Sequence, residues 1–469
     1  MRGLSIGGMA RLLRGPAAAL LCVVAAFGAP GAAEEAEDGE RTSRISDEAV
    51  PLIDPSVFPM RPRPILELGD RFLGTGPLPT GFRLPGGAVW RPALLLFGTL
   101  RTAAQAFNTD HTTRSEWANR LDLYSNLQLS GTERLVVGVR PADQEGRFTG
   151  YNFRAGPTGS QSEFNGGVTT LFFEGDFGEL FPNADPHDFG SLDWGFSVGR
   201  QPLLLQEGML VNDDLDAVGI TRNSILPRGG TNMQLTFLYA WNNVHRDDNL
   251  EDDPADLFGL FITADYSRSS INADFAYVFD TDQNTDGVYW GLSAVQRIGL
   301  VNTAFRVLGS QALDAETAAV SDGLLLFGEV SWTPAWTHDN VYVNAFWGID
   351  QFSSAARGPA TGGPLGRAGI LFAAVGLGRY GAALGNRADD SAGLAVGYQK
   401  FSHDTRRQLI VEVGGRQGTT GADDGAAALG ARFQQAMGKH FVLQVDGFRS
   451  VLESRDDGWG TRLELLFQF

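Results

Sequence analysis

The residues best equipped for chemistry in this 469-residue chain are dispersed along it. Its six histidines (His111, His187, His245, His338, His403, His440) fall in loops or at the ends of patterned segments, and none has a serine or carboxylate at a spacing that suggests a triad. No His-rich metal spacing occurs. Gly376-Leu377-Gly378-Arg379-Tyr380-Gly381 fits a dinucleotide fingerprint, but among 60 glycines that spacing is expected by chance, and no βαβ pattern surrounds it. Asp282, Asn284 and Asp286 alternate in a loop closed by Gly287, which is the oxygen spacing of a calcium loop. The twelfth position from Asp282 is Ser293 rather than the glutamate an EF-hand needs, so a solvated hairpin tip is the competing reading, and no other cofactor is indicated. A second acidic loop, Asp247 to Asp253, suits divalent cations that bridge lipid headgroups or is simply a repulsive surface. No catalytic residue, and no enzyme, is expected from this inventory.

The more informative charges interrupt segments of alternating polarity. Alternation predicts that Arg134, Arg140, Arg200, Arg222, Arg297, Arg306, Arg416 and Arg462 share an inner face with Asp122, Glu174, Asp176, Asp274, Glu329, Glu412, Asp446 and Glu464. On a lipid-facing site an arginine costs about 2–4 kcal/mol at the bilayer midplane, so these residues require a watery interior. Arg200, Arg134, Arg140, Arg222, Arg306, Glu174, Asp176, Glu329 and Glu412 are the candidates to line it. Opposed basic and acidic rows would set a transverse field across a narrow pore; the alternative is that the charges simply pair off.

From about Trp90 onward the elements that must position these charges are segments of roughly ten residues, alternately polar and apolar, separated by turn residues. Leu121, Leu123, Leu127 and Leu129 alternate with Asp122, Tyr124, Asn126 and Gln128. Ser130-Gly131-Thr132 then turns the chain into Leu135, Val137 and Val139, a hairpin signature. Nineteen such segments can be marked, and a single-chain bacterial barrel has an even number. Short turns at 130–132, 267–270 and 298–300 fix the direction of the strands before Gly323. The turn Met437-Gly438-Lys439 fixes those after about Ser391, and the two frames are out of phase. The slip falls in 351–391, which is predicted to be one long loop whose apolar part, Ile370 to Val375, folds inward and narrows the pore. The tryptophans, for example Trp90, Trp117, Trp194, Trp241, Trp290, Trp347 and Trp459, cluster where segments begin and end, as in interfacial girdles.

The amino terminus reads as a secretory signal over 1–33. Arg2, Arg11 and Arg14 precede the apolar run Ala17 to Phe27, which is too short to span a bilayer, and Gly31-Ala32-Ala33 offers a cleavage site. Cys22 leaves with that segment, so disulfides and thiol chemistry are excluded from the mature chain. Loss of three arginines and no acid leaves 34 basic residues against 55 acidic ones, net −21, which argues against a nucleic-acid partner. Residues 34–87, acidic and then rich in Pro and Gly, form a periplasmic tail or a segment at the barrel mouth, and 88–469 forms the barrel.

The last strand, Trp459 to Phe469, places Trp459, Thr461, Leu463, Leu465, Phe467 and Phe469 on one face and Gly460, Arg462, Glu464 and Gln468 on the other. It resembles the closing strand of Gram-negative outer-membrane β-barrels. That resemblance implies an assembly signal in Phe469, Phe467 and Leu465 read by the barrel-assembly machinery. Gly199-Arg200-Gln201 resembles an element of alginate-export-type and related porins, in which the arginine points into the lumen. Together these imply an all-β fold, a single transmembrane antiparallel barrel of about 18 strands (16–20), in the bacterial outer membrane among lipid and lipopolysaccharide. The function implied is that of a porin for small polar solutes, with homotrimers as the family analogy. An export conduit for an anionic polysaccharide and a closed barrel acting as adhesin or structural protein are the alternatives.

Overall fold

The computed structural model describes residues 62–69, 80–108, 112–156, 158–187, 190–252, 254–280, 285–403, 405–421, 425–453 and 456–469. The expected signal segment and the acidic stretch 34–50 lie outside these residues. Eighteen strands form the wall: β1 Ala93–Asn108, β2 Thr113–Gln128, β3 Arg134–Val139, β4 Val168–Asp176, β5 Trp194–Leu205, β6 Val211–Ile225, β7 Asn232–Trp241, β8 Ala255–Tyr266 and β9 Ser269–Asp280. The second half comprises β10 Gly287–Ile298, β11 Val301–Ala312, β12 Gly323–Trp332, β13 Asn340–Asp350, β14 Ser391–Ser402, β15 Arg407–Gly418, β16 Ala426–Met437, β17 Phe441–Leu452 and β18 Gly458–Gln468. Each pairs antiparallel with the next. β18 closes the ring on β1, from Trp459 opposite Asn108 to Gln468 opposite Thr99. Closure removes the free edges that would otherwise present unpaired backbone groups to lipid. Arg147–Arg154 continues β3, pairing with the upper half of β2 after a short insertion.

Period-two alternation decides which side chains meet lipid. Along β18, Leu463 is 51% exposed on the outer face while Arg462, 1% exposed, and Glu464 are buried within. Phe237, Phe258 and Phe275 continue the apolar outer surface on β7, β8 and β9. The closing residue is tied in by backbone bonds in both directions, Phe469 N to Gly98 O at 3.1 Å and Gly98 N to Phe469 O at 2.8 Å.

The described parts of the segment before the barrel, 62–69 and 80–92, lie at the periplasmic end. Leu66–Leu68 pairs with Leu94–Leu96 at the start of β1, and Asn183 donates its backbone N–H to Gly86 O across to the connection between β4 and β5. Residues 369–378 form no strand. Asn340–Trp347 of β13 pairs directly with Ala392–Gln399 of β14, so 351–390 is a single long extracellular loop and the strand count is even.

Candidate pore constriction

Two extracellular segments occupy the lumen. The first is the tip of the β5–β6 hairpin. Pairing to its neighbours stops at Arg200 opposite Leu171 on β4 and at Asp216 opposite Trp241 on β7, so beyond that level the hairpin has no strand pairing to the wall. It bends in at Gly199, whose φ of 119° and near-contact with the Leu171 carbonyl (2.1 Å from an ideal Cβ) admit no side chain. At the tip Gln206 Nε2 donates to Asp274 Oδ2 on β9 at 2.6 Å. Val211 and Asn212 then pair in parallel with Ala356 and Arg357 of the long loop.

The second is loop 351–390, which crosses the lumen from wall to wall. It leaves β13 along the hairpin, where Arg357 donates to Gly208 O (2.6 Å) and Gly363 O (2.8 Å). Full burial pushes that guanidinium down to about 10. On β15, Glu412 accepts the backbone amides of Ile370 and Leu371, each at 2.9 Å, and the Tyr342 hydroxyl. Phe372 packs edge-on to Phe346, ring centroids 5.4 Å apart. Further round the same wall, on β1 and β2, Arg101 donates to Val375 O at 3.0 Å, Arg120 to Gly376 O at 3.1 Å, and Arg379 pairs with Glu116 at 2.9 Å. Tyr380 wedges between Phe107 and Phe448. The return is held by Arg387, which pairs with Asp247 of the 242–254 segment. In that segment His245 Nδ1 lies 3.0 Å from Asp213 Oδ1 of the hairpin. Burial works to lower the His245 pKa, but the Asp213 bond and charge outweigh it and hold it above its ordinary value.

Where the loop meets the wall, β16, β17, β18, β1 and β2 carry a continuous charged belt that ends in Arg140. Arg120 and Arg140 share Asp122 (2.9 and 2.7 Å). Arg432 and Arg462 share Asp446 (2.6 and 2.9 Å). Glu464 is bracketed by Arg462 and by Arg101, the latter at 2.5 Å. Each of these three carboxylates therefore sits between two guanidinium groups; Arg140 also lies 3.7 Å from Asp143, so five arginines face four acids. Arg101 and Arg120 stand directly opposite one another in the sheet, a like-charge pairing offset by the carboxylates and by the loop carbonyls both arginines reach. From the hairpin, Asp214 lies within electrostatic range of Arg120 and Arg140.

The structure distributes the sequence candidates unevenly. Arg140, Asp122, Asp446, Arg462 and Glu464 lie in the belt. Arg306 pairs with Glu329 on β11 and β12, and Arg367 of the loop comes within 3.5 Å of the same carboxylate. Glu412 and Arg416 hold the loop; Arg416 donates to the Leu384 and Arg387 carbonyls. Arg134 and Glu174 pair across β3 and β4 near the periplasmic end, away from the loop. Asp176 is corrected from lining residue to helix cap: its carboxylate accepts Gly178 N and Glu179 N of the short helix Phe177–Leu180. Arg222 is corrected outright. It shares the outer face with Val218 (37% exposed) and Ile220 (39%), and its guanidinium lies 5.6 Å over Trp194 at the periplasmic rim. Arg297 likewise bonds the carbonyl of Gly299 in a periplasmic turn.

Arg200 is placed at the root of the hairpin rather than at the belt, bidentate to Asp216 at 2.9 and 2.8 Å and also bonded to Val168 O. Basic and acidic rows do not face one another across the pore as expected; they interleave on one wall. In the calcium candidate, Asp282 and Asn284 lie outside the described residues, and Asp286 accepts the Tyr277 hydroxyl and Asp280 N. Among the described residues no group of three metal-ligating side chains occurs.

Sequence reasoning missed Arg101, Arg120, Arg432, Glu116 and Arg379. For Arg120 and Glu116 the signal was present. They share the parity of Asp122, but β2 begins at Thr113, eight residues before the alternation becomes regular. Arg379 acts from an irregular loop, where no periodicity exists to find it.

No known protein-family model matches the sequence, and no curated protein does. The fold is nevertheless shared with solved structures. A BenF-like porin from Pseudomonas fluorescens Pf-5 superposes with a TM-score of 0.55 at 12% identity, covering 80% of this chain and 98% of that one. Pseudomonas aeruginosa OccK9 (OpdG) superposes with 0.52 at 13%, covering 80% and 98%. Acinetobacter baumannii OccAB4 gives 0.51 at 12%, covering 82% and 100%. The closed antiparallel barrel with an apolar outer face and a charged lumen is the fold these outer-membrane porins share with this chain.

Proposed function

We propose that this chain is a passive outer-membrane channel for small hydrophilic solutes, with an eyelet that favours small anions. The observation that carries the reading is the belt: Asp122, Asp446 and Glu464 are each shared by two arginines, and with Asp143 beside Arg140 the belt holds five arginines to four acids, an excess of one positive charge. A ring of arginines at a constriction raises the local concentration of anions and repels cations. Small size follows from loop 351–390, which is fastened to the wall at Glu412 on β15 and at Arg101, Arg120 and Glu116 on β1 and β2. A conduit for a polysaccharide needs an uninterrupted lumen, and the fastened loop weighs against it. One fold neighbour, Pseudomonas aeruginosa OpdK, has been crystallised with vanillate, a carboxylate. The purified protein in a planar bilayer should conduct in discrete steps and select chloride over potassium. A barrel that passes no current is a closed structural protein, and one that prefers potassium lacks a cationic eyelet.

A further inference from the structure

Beneath the inserted hairpin tip the wall encloses a recess of about 310 Å³, separate from the arginine belt. Gln234 and Thr236 on β7, Thr263 on β8 and Asn272 on β9 supply its polar lining, and Phe261 with residues 203–205 of the hairpin supplies its apolar one. Gln234, Thr263 and Asn272 lie within four residues of the periplasmic ends of their strands, so the recess belongs to the periplasmic half of the lumen. Its three charged neighbours are already committed, Glu207 lying 3.7 Å from Arg367 of the loop. Asp274 holds the Gln206 amide at 2.6 Å, and Arg306 is paired with Glu329. Thr236 shares one hydrogen bond with the Thr221 hydroxyl (2.9 Å) and Asn272 donates one N–H to Ser293 Oγ (3.2 Å), so what remains toward the cavity is the unused donor and acceptor capacity of these amide and hydroxyl groups, beside an aromatic ring. A small ion without hydroxyl groups gains little there, because the fixed charges have partners.

We infer that this recess is a binding site for a monosaccharide-sized polyhydroxylated solute. A sugar ring has the matching chemistry: hydroxyl edges that exchange hydrogen bonds with Thr, Asn and Gln, and C–H faces that lie against Phe261. The volume stands at the lower bound of small-molecule pockets, which suits one ring and excludes two. The belt selects by charge at the eyelet, and the recess selects by hydroxyl content below it. The inference rests on the channel reading and adds the solute class to it.

The test is single-channel recording in KCl with glucose added on the periplasmic side, for the unaltered protein and for Thr236→Val, Thr236→Ser and Asn272→Leu. Glucose should reduce the current saturably. The half-saturating concentration should rise about three- to tenfold in Thr236→Val and Asn272→Leu, the loss of one hydrogen bond, and stay near the original in Thr236→Ser. Glucose-free conductance and ion selectivity should be unchanged, since none of these residues touches the belt. A current that falls only in proportion to glucose viscosity, or a half-saturation indifferent to Thr236→Val and Asn272→Leu, overturns the site while leaving the channel reading intact. Absence of any KCl current overturns the channel reading and this site with it.

Discussion

Replacing Glu412 by alanine should loosen loop 351–390 from the β15 wall while leaving the barrel closed. Glu412 is fully buried and accepts three donors: Ile370 N and Leu371 N at 2.9 Å each, and the Tyr342 hydroxyl. Alanine removes the anion and leaves all three without it. A buried donor stripped of its partner costs about 1–3 kcal/mol, so the two amides left once the Tyr342 hydroxyl has rotated toward water cost the closed loop on the order of 2–6 kcal/mol. Opposing this, the buried side chains of Leu371, Phe372 and Leu377 still favour the closed loop by about 1.5–3 kcal/mol each. The loop should therefore open transiently rather than leave the lumen. A shift of about 3 kcal/mol multiplies the open population roughly 150-fold. The assay is single-channel recording beside heat-modifiable gel mobility, which reports barrel closure independently. The expected result is unchanged mobility with a larger mean conductance and more open-channel noise, and Glu412→Gln, which keeps an acceptor oxygen, should fall between. A folded Glu412→Ala barrel with the original conductance and noise would refute the idea that this carboxylate fastens the loop.

Arg120→Ala with Arg101→Ala should lower anion selectivity, moving the reversal potential in a KCl gradient toward zero, because it removes two of the five belt arginines. Arg379→Ala should release the loop's far end from Glu116 and increase current noise, but less than Glu412→Ala, since Tyr380 stays wedged between Phe107 and Phe448. The His245–Asp213 contact is pH dependent. With the His245 pKa held above about 6.5, the ion pair is complete below that value and is lost as pH rises through the folded value; Asp214 and Glu251 add to the same shift. Conductance noise should then grow on alkaline titration, and His245→Gln should remove that pH dependence. Deleting Phe469 should reduce the amount of protein recovered in outer membranes, measured by fractionation, since its backbone bonds to Gly98 and its ring contact with Phe467 would be lost.

Much of the barrel was legible because lipid on one side and water on the other impose a strict period of two. The terminal strand shows it: the same alternation that puts Leu463 outward puts Arg462 and Glu464 inward. Strand direction was legible as well, and the clash of frames around 351–391 identified the long loop before any coordinates did. The hairpin was not. Its residues 200–205 and 211–216 keep strand geometry after leaving the wall, so their alternation looks like more barrel, and only Gly199 with the run Asp213, Asp214 and Asp216 marks the bend.

The same reason misplaced Arg222. Near a strand end, parity over a few residues cannot distinguish an inward charge from one that reaches the interface, and Trp194 gives this one an outer partner. The belt was partly legible through Asp122, Asp446, Arg462 and Glu464. Its cationic excess was not, since it depends on which neighbours share each carboxylate across strands far apart in sequence.

The sign of the eyelet is open to one direct measurement, the zero-current potential of the purified channel under a tenfold KCl gradient. Five arginines among four acids predict a potential displaced toward the chloride equilibrium value, and a smaller displacement in Arg120→Ala. A potential displaced toward potassium, unchanged by Arg120→Ala, would contradict a cationic constriction at this belt.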